Sequence, residues 1–160
     1  MKKIICLTLT AFLILLSGCG TKTYSPVINS EFDYGARFVT GDYSFSCIIS
    51  RKEKTVTVMP TDTYASDMKI SCDGTNVLFI QNGMKKSLTL SEASPKNPAA
   101  VLYSVFYVLC DGKSYTVKKV ESGYQYSGKT DYGVFTLYQK DDNSLDKLIL
   151  PDKDISVEFN

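Results

Sequence analysis

The side chains here that could do chemistry are five cysteines, a knot of acidic residues near the C-terminus, two arginines and eleven tyrosines. The chain has no histidine and no tryptophan. Ser-His and Cys-His nucleophilic pairs are therefore excluded, and so is the commonest zinc ligand. No local arrangement suggests paired carboxylates or a Ser-Lys pair, so the chain reads as a binding protein and not an enzyme. Asp141, Asp142, Asn143 and Asp146 crowd one turn. A calcium loop of the EF-hand type needs a glycine and a distal glutamate at fixed spacing, and both are missing. The cluster reads as a hairpin turn with solvated charges. Arg37 and Arg51 are the only arginines, and nothing local marks either as an anion clamp. No motif points to a metal or a cofactor.

Cys19 differs from the other cysteines in its setting. Lys2 and Lys3 precede an apolar run from Ile4 to Leu16, broken only by Thr8 and Thr10. A positive start and an apolar stretch of this length form a secretory signal. The run is too short for the roughly 20 apolar residues that cross a bilayer. Leu16-Ser17-Gly18-Cys19 resembles the lipobox of bacterial lipoproteins. That resemblance implies a diacylglyceryl group on the Cys19 thiol and removal of residues 1–18. Two acyl chains act as a stable anchor where one is marginal. The expected location is the outer face of a bacterial membrane. Residues 19–30 read as the anchored, flexible tether, on the order of 20 Å in mean reach, and residues 31–160 as the folded domain.

Residues 19–160 keep 16 of the 18 basic side chains and all 17 acidic ones, because the signal carries only two lysines. Near-neutral charge without a basic cluster argues against nucleic acid as a partner. Of the cysteines in the domain, Cys47, Cys72 and Cys110, at most one pair can bridge. Buried apolar thiols are the simpler reading.

Most of the domain alternates like β-strands. Tyr43, Phe45, Cys47 and Ile49 share a face, Thr55 to Met59 is rich in β-branched residues before Pro60, and Met68, Ile70 and Cys72 alternate before Asp73-Gly74. Val77 to Gln81 and Leu88 to Leu90 flank Asn82-Gly83, a strong hairpin signal. These segments predict a meander, in which Cys47 and Cys72 lie about 9–10 Å apart and do not bridge. Asn97-Pro98 then starts a helix. Val101, Leu102, Val105, Phe106 and Leu109 fall on one of its faces, and Tyr103, Tyr107 and Val108 widen the apolar surface. So apolar a helix is expected to be covered nearly all round. Ser114 to Val120, Tyr124 to Ser127, Gly133 to Gln139, Leu145 to Leu150 and Ile155 to Phe159 predict further strands. The fold class is mainly β, as a curved antiparallel sheet or half-open barrel with one central apolar helix.

Pro60, Met68 to Gly74, and above all the run Tyr132 to Phe159 (YGVFTLYQKDDNSLDKLILPDKDISVEF) make the domain resemble the bacterial lipoprotein carrier and the outer-membrane lipoprotein receptor. That family implies an open half-barrel with helical cover and a role in handling lipid chains or lipidated proteins. An apolar groove would be lined by Val101, Val105, Phe106 and Leu109 facing Phe45, Ile49, Val56 and Val58. The same residues equally describe a filled core. In that case the domain is an envelope interaction or sensor module with a protein partner. The tyrosines supply a third thought. Tyr103 and Tyr107 lie one helical turn apart, and Tyr124 and Tyr126 share one strand face, spacings that suit a glycan or peptide platform as well as ordinary sheet packing.

Overall fold

The structure, a computed structural model, describes residues 26–62, 65–112 and 114–160; the signal and Cys19 lie outside them. Eleven antiparallel strands form one sheet. The first six are β1 (Phe32–Thr40), β2 (Tyr43–Lys52), β3 (Thr55–Pro60), β4 (Lys69–Cys72), β5 (Asn76–Gln81) and β6 (Met84–Thr89). After the helix come β7 (Tyr115–Val120), β8 (Gly123–Thr130), β9 (Gly133–Lys140), β10 (Leu145–Leu150) and β11 (Ile155–Phe159). Their order is β6-β5-β4-β3-β2-β1-β11-β10-β9-β8-β7, two meanders joined where β1 pairs with β11. The sheet does not close: β6 pairs only with β5, and β7 only with β8.

Asn97 caps α1 (Pro98–Phe106) by accepting the Ala100 N–H at 3.0 Å, and Pro98 fills the first turn. The chain continues as a π-helical turn, Tyr107–Asp111, closed by Gly112 N–H donating to the Tyr107 carbonyl. α1 packs on β3, β4 and β8. In the sheet order β3 and β8 are six places apart, about 29 Å if the sheet were flat. A helix about 10 Å across reaches both only if the sheet curls around it. The result is a half-open barrel with the helix inside.

The curl turns cross-strand rows into a continuous inner face. Phe45, Phe38, Val157, Leu148, Leu137 and Tyr126 face one another in register across six strands. Ile49, Val58, Ile70 and Phe79 form a second row. Tyr126 is 1% exposed, and its hydroxyl donates to Gln139 Oε1 at 2.7 Å, so the row keeps its one polar atom paired. Cys47 and Cys72 are separated by β3, and both are free and buried.

Two parts of the fold depart from the sequence reading. β1, at the centre of the sheet, is missing from the strands read in the sequence, although Phe32, Tyr34, Ala36 and Phe38 alternate with Asp33, Gly35 and Arg37, and Phe32, Ala36 and Phe38 face the core. Residues 27–30, which the sequence reading assigns to the tether, contact the domain. Gln139 Nε2 donates to the Val27 carbonyl at 3.1 Å, Arg51 Nη1 donates to the Ser30 carbonyl, and Ile28 packs against the core.

Candidate functional site

Of the eight residues expected to line a groove, seven are core and Phe45 packs against it. Ile49, Val56, Val58, Val101, Val105 and Phe106 are fully buried, and Leu109 is nearly so. Phe45 is half-buried and stacks on Phe38 with ring centroids 5.4 Å apart. Phe106 meets Phe32 at 4.7 Å. None of the eight lines any of the four cavities described for the structure. Around these residues the helix packs against the sheet with its own side chains.

The open space lies on the helix's other side. Tyr103, Ser104, Tyr107 and Val108 form the floor of a cleft of about 650 Å³. Its walls come from the two arms of the sheet: Gly74 and Leu90 from the β4–β5 turn and the end of β6, and Lys129 to Tyr132 from the β8–β9 turn. A second cavity of about 560 Å³ shares Gly74, Leu90, Asp131 and Tyr132 and extends the trough to Thr75, Thr89 and Ser91. The expectation of a helix covered all round fails here, because Tyr107 is 49% exposed. The unclosed sheet leaves no strand to cover that face.

Each wall is fixed locally. Asp73 accepts the N–H groups of Thr75 and Asn76 at 2.8 and 2.7 Å, shaping the β4–β5 turn. Those bonds, from Asn76 and then Thr75, hold the Asp73 carboxyl below its usual range. Leu90 N–H donates to the Thr75 carbonyl at 2.8 Å and fastens the end of β6 to that turn. Across the cleft, Thr130 Oγ1 accepts the Tyr132 N–H at 3.1 Å. Gly74 has φ +92°, and any Cβ there would run into the Tyr103 ring. Glycine is thus required both for the turn and for the close approach of the ring.

On the floor, the Tyr103 and Tyr107 rings stack with centroids 6.0 Å apart and 18° between planes. Burial, and then the neighbouring Cys72 thiol, push the phenols of Tyr103 and Tyr132 upward in pKa, so both stay protonated as donors and acceptors. Lys129 and Asp131 at the wall make no ion pair among the described residues. The other tyrosine pair is not a surface: Tyr126 is core, and the Lys119 ammonium sits 4.4 Å over the Tyr124 ring.

A third space, about 490 Å³, lies along the β5–β6 arm and is lined by Met68, Phe79, Met84 and Leu88 with Gln81, Lys85 and Lys86. Below the cleft, Asp111 of the π turn receives Arg51 Nη2 at 2.5 Å and Lys54 Nζ at 3.2 Å. The acidic turn is spoken for by protein groups. Asp141 pairs with Lys119, Asp146 with Lys140 at 3.4 Å, and Asp142 accepts from Ser144. Among the described residues no trio of His, Cys, Asp or Glu is placed to hold a metal ion, and no helix is long and apolar enough to cross a membrane.

The sequence singled out Tyr103 and Tyr107 but not their wall. Nothing in the chain places the turn at residues 131–132 beside the turn at 73–74; only the curl of the sheet does. Compared with known proteins, the chain matches no family model and no curated protein.

Proposed function

We propose that this protein is a lipid-anchored extracytoplasmic binding module whose core is filled by its own helix and whose target is taken at the tyrosine-floored cleft. The reading joins two observations. The lipobox-like setting of Cys19 supports a diacylglyceryl anchor on the outer face of a bacterial membrane, which would hold the domain close to the headgroups. The complete burial of Val101, Val105 and Phe106 against Ile49, Val56 and Val58 carries the choice of an interaction or sensor role over an open interior groove.

One observation favours a second reading, the handling of lipid chains or lipidated proteins. The cavity of Met68, Phe79, Met84 and Leu88 is apolar, has lysines at its rim, and is within the roughly 300–1,000 Å³ range of ligand pockets. A chain would then lie on the β5–β6 arm, away from the expected groove.

Native mass spectrometry of the chain from Thr21 to Asn160, with folding checked by circular dichroism, separates the two. The expected result is a single apo mass, unchanged by organic extraction or by added phospholipid. Added mass that extraction removes, matching phospholipid or fatty acid, would overturn the interaction-module reading in favour of the second.

A further inference from the structure

We propose that the cleft between the two arms of the sheet is an oligosaccharide site, with a sugar ring laid on the Tyr107 face and its hydroxyls bonded by Asp131, Lys129 and the Tyr132 phenol. The inference rests on the reading above for the location of binding, and adds the class of ligand.

The floor is a built platform. The Gly74 backbone abuts the hydroxyl end of the Tyr103 ring, Tyr103 stacks on Tyr107, and Tyr107 remains half exposed. A flat aromatic surface held rigid before binding loses little freedom when a ligand arrives. The C–H groups on the flat face of a pyranose are slightly positive and suit the negative face of an aromatic ring.

The walls supply the polar half of such recognition. Asp131 has two carboxylate oxygens free for neighbouring hydroxyls, and Lys129 has three donors. Thr75, Thr89 and Ser91 carry the trough onward, so it takes more than one ring.

Other classes of ligand fit less well. An acyl chain would leave Asp131 and Lys129 facing hydrocarbon at a desolvation cost with nothing to offset it. A phosphate polymer would meet Asp131 beside a single lysine on a near-neutral protein. A peptide adding as a strand needs an open backbone edge. The open edges are those of β6 and β7, whereas the cleft is floored by the helix.

The test titrates the full mature chain in detergent micelles with chitohexaose, cellohexaose, tetra-alanine and palmitate, followed by calorimetry. Tyr107→Ala and Asp131→Asn are run beside it, with thermal unfolding as the check on folding. Saturable binding of either hexasaccharide is expected, weakened about tenfold by each substitution, the order of one lost stacking or charged contact. If neither sugar binds, or if both variants bind like the parent, the saccharide assignment fails. Tetra-alanine or palmitate binding that Tyr107→Ala weakens would overturn the ligand class and leave the cleft as the site. Palmitate binding that exceeds its partition into micelles without protein and is indifferent to Tyr107→Ala, with neither sugar bound, would overturn both the saccharide and the cleft.

Discussion

Among the described buried residues, Arg51 is the one that carries a charge; Thr57, Asn97 and Gln139 are the other polar ones. Its guanidinium joins three parts of the chain: its own strand β2, the Ser30 carbonyl 21 residues earlier and the Asp111 carboxylate 60 residues later. Arg51→Met keeps the stem and removes both bonds. A loss of about 2–3 kcal/mol is expected, the scale of hydrogen bonds to charged groups, read by urea unfolding. Asp111 keeps Lys54, which limits the damage. A second residue-scale expectation concerns Cys47, whose thiol burial, with Asp62 adding, pushes from 9.0 to about 12. The folded state therefore holds its proton over a range where the unfolded chain releases it. Stability from this group is level below about pH 8.5 and falls as pH climbs towards 12. Cys47→Ala should flatten that slope in urea titrations between pH 8 and 10. Neither residue announces its role in the sequence. Arg51 sits in a polar pair with Lys52, and its partners are distant in the chain.

At the scale of elements, α1 was the most legible piece. Asn97-Pro98 sets its start through bonds within one turn, so the signal is local and readable. Its buried face also follows from spacing alone. Phe106→Ala should cost about 3–5 kcal/mol, because a fully buried ring is lost against Phe32. A near-zero change in the urea midpoint would mean that the helix is peripheral. The opposite face was misread for a physical reason. Hydropathy gives the apolar content of Tyr103, Tyr107 and Val108, but whether a strand lies over them depends on closure of the sheet, which no local pattern encodes. β1 was legible and passed over: Phe32, Tyr34, Ala36 and Phe38 alternate with Asp33, Gly35 and Arg37, but only its pairing with both β2 and β11 shows that it is the central strand. Strands with clean alternation, β2, β4 and β11 among them, were read nearly to their ends.

For the whole molecule, the open sheet leaves two unpaired edges, and each carries adjacent lysines: Lys85 and Lys86 on β6, Lys118 and Lys119 on β7. All four are exposed. Charge on an edge strand opposes pairing with a second sheet, because the ammonium groups would be desolvated and set against one another. Replacing all four with threonine should shift the chain from monomer to larger species as concentration rises, read by light scattering at low and high salt. An unchanged mass would mean that bulk or twist, and not charge, guards the edges. Curvature was legible only as a tendency of antiparallel sheets. The cleft, which needs the two arms to meet over α1, was beyond what spacing could give.

The pairing of β1 with β11 has a kinetic side. Every other strand pair in the sheet joins neighbours in sequence, so each half can zip up as a series of local hairpins. The β1–β11 ladder instead joins the first strand to the last, with Asn160 N–H donating to the Gly35 carbonyl, and must wait for nearly the whole chain to come together. Reopening the chain at Pro95-Lys96, in the exposed loop between β6 and α1, and linking Asn160 to Glu31 through a short glycine-rich loop would convert that ladder into a hairpin without parting another strand pair. The permuted chain should refold faster in stopped-flow experiments, with its unfolding rate little changed. Equal refolding rates would mean that some other contact, the docking of α1 foremost, is the slow step.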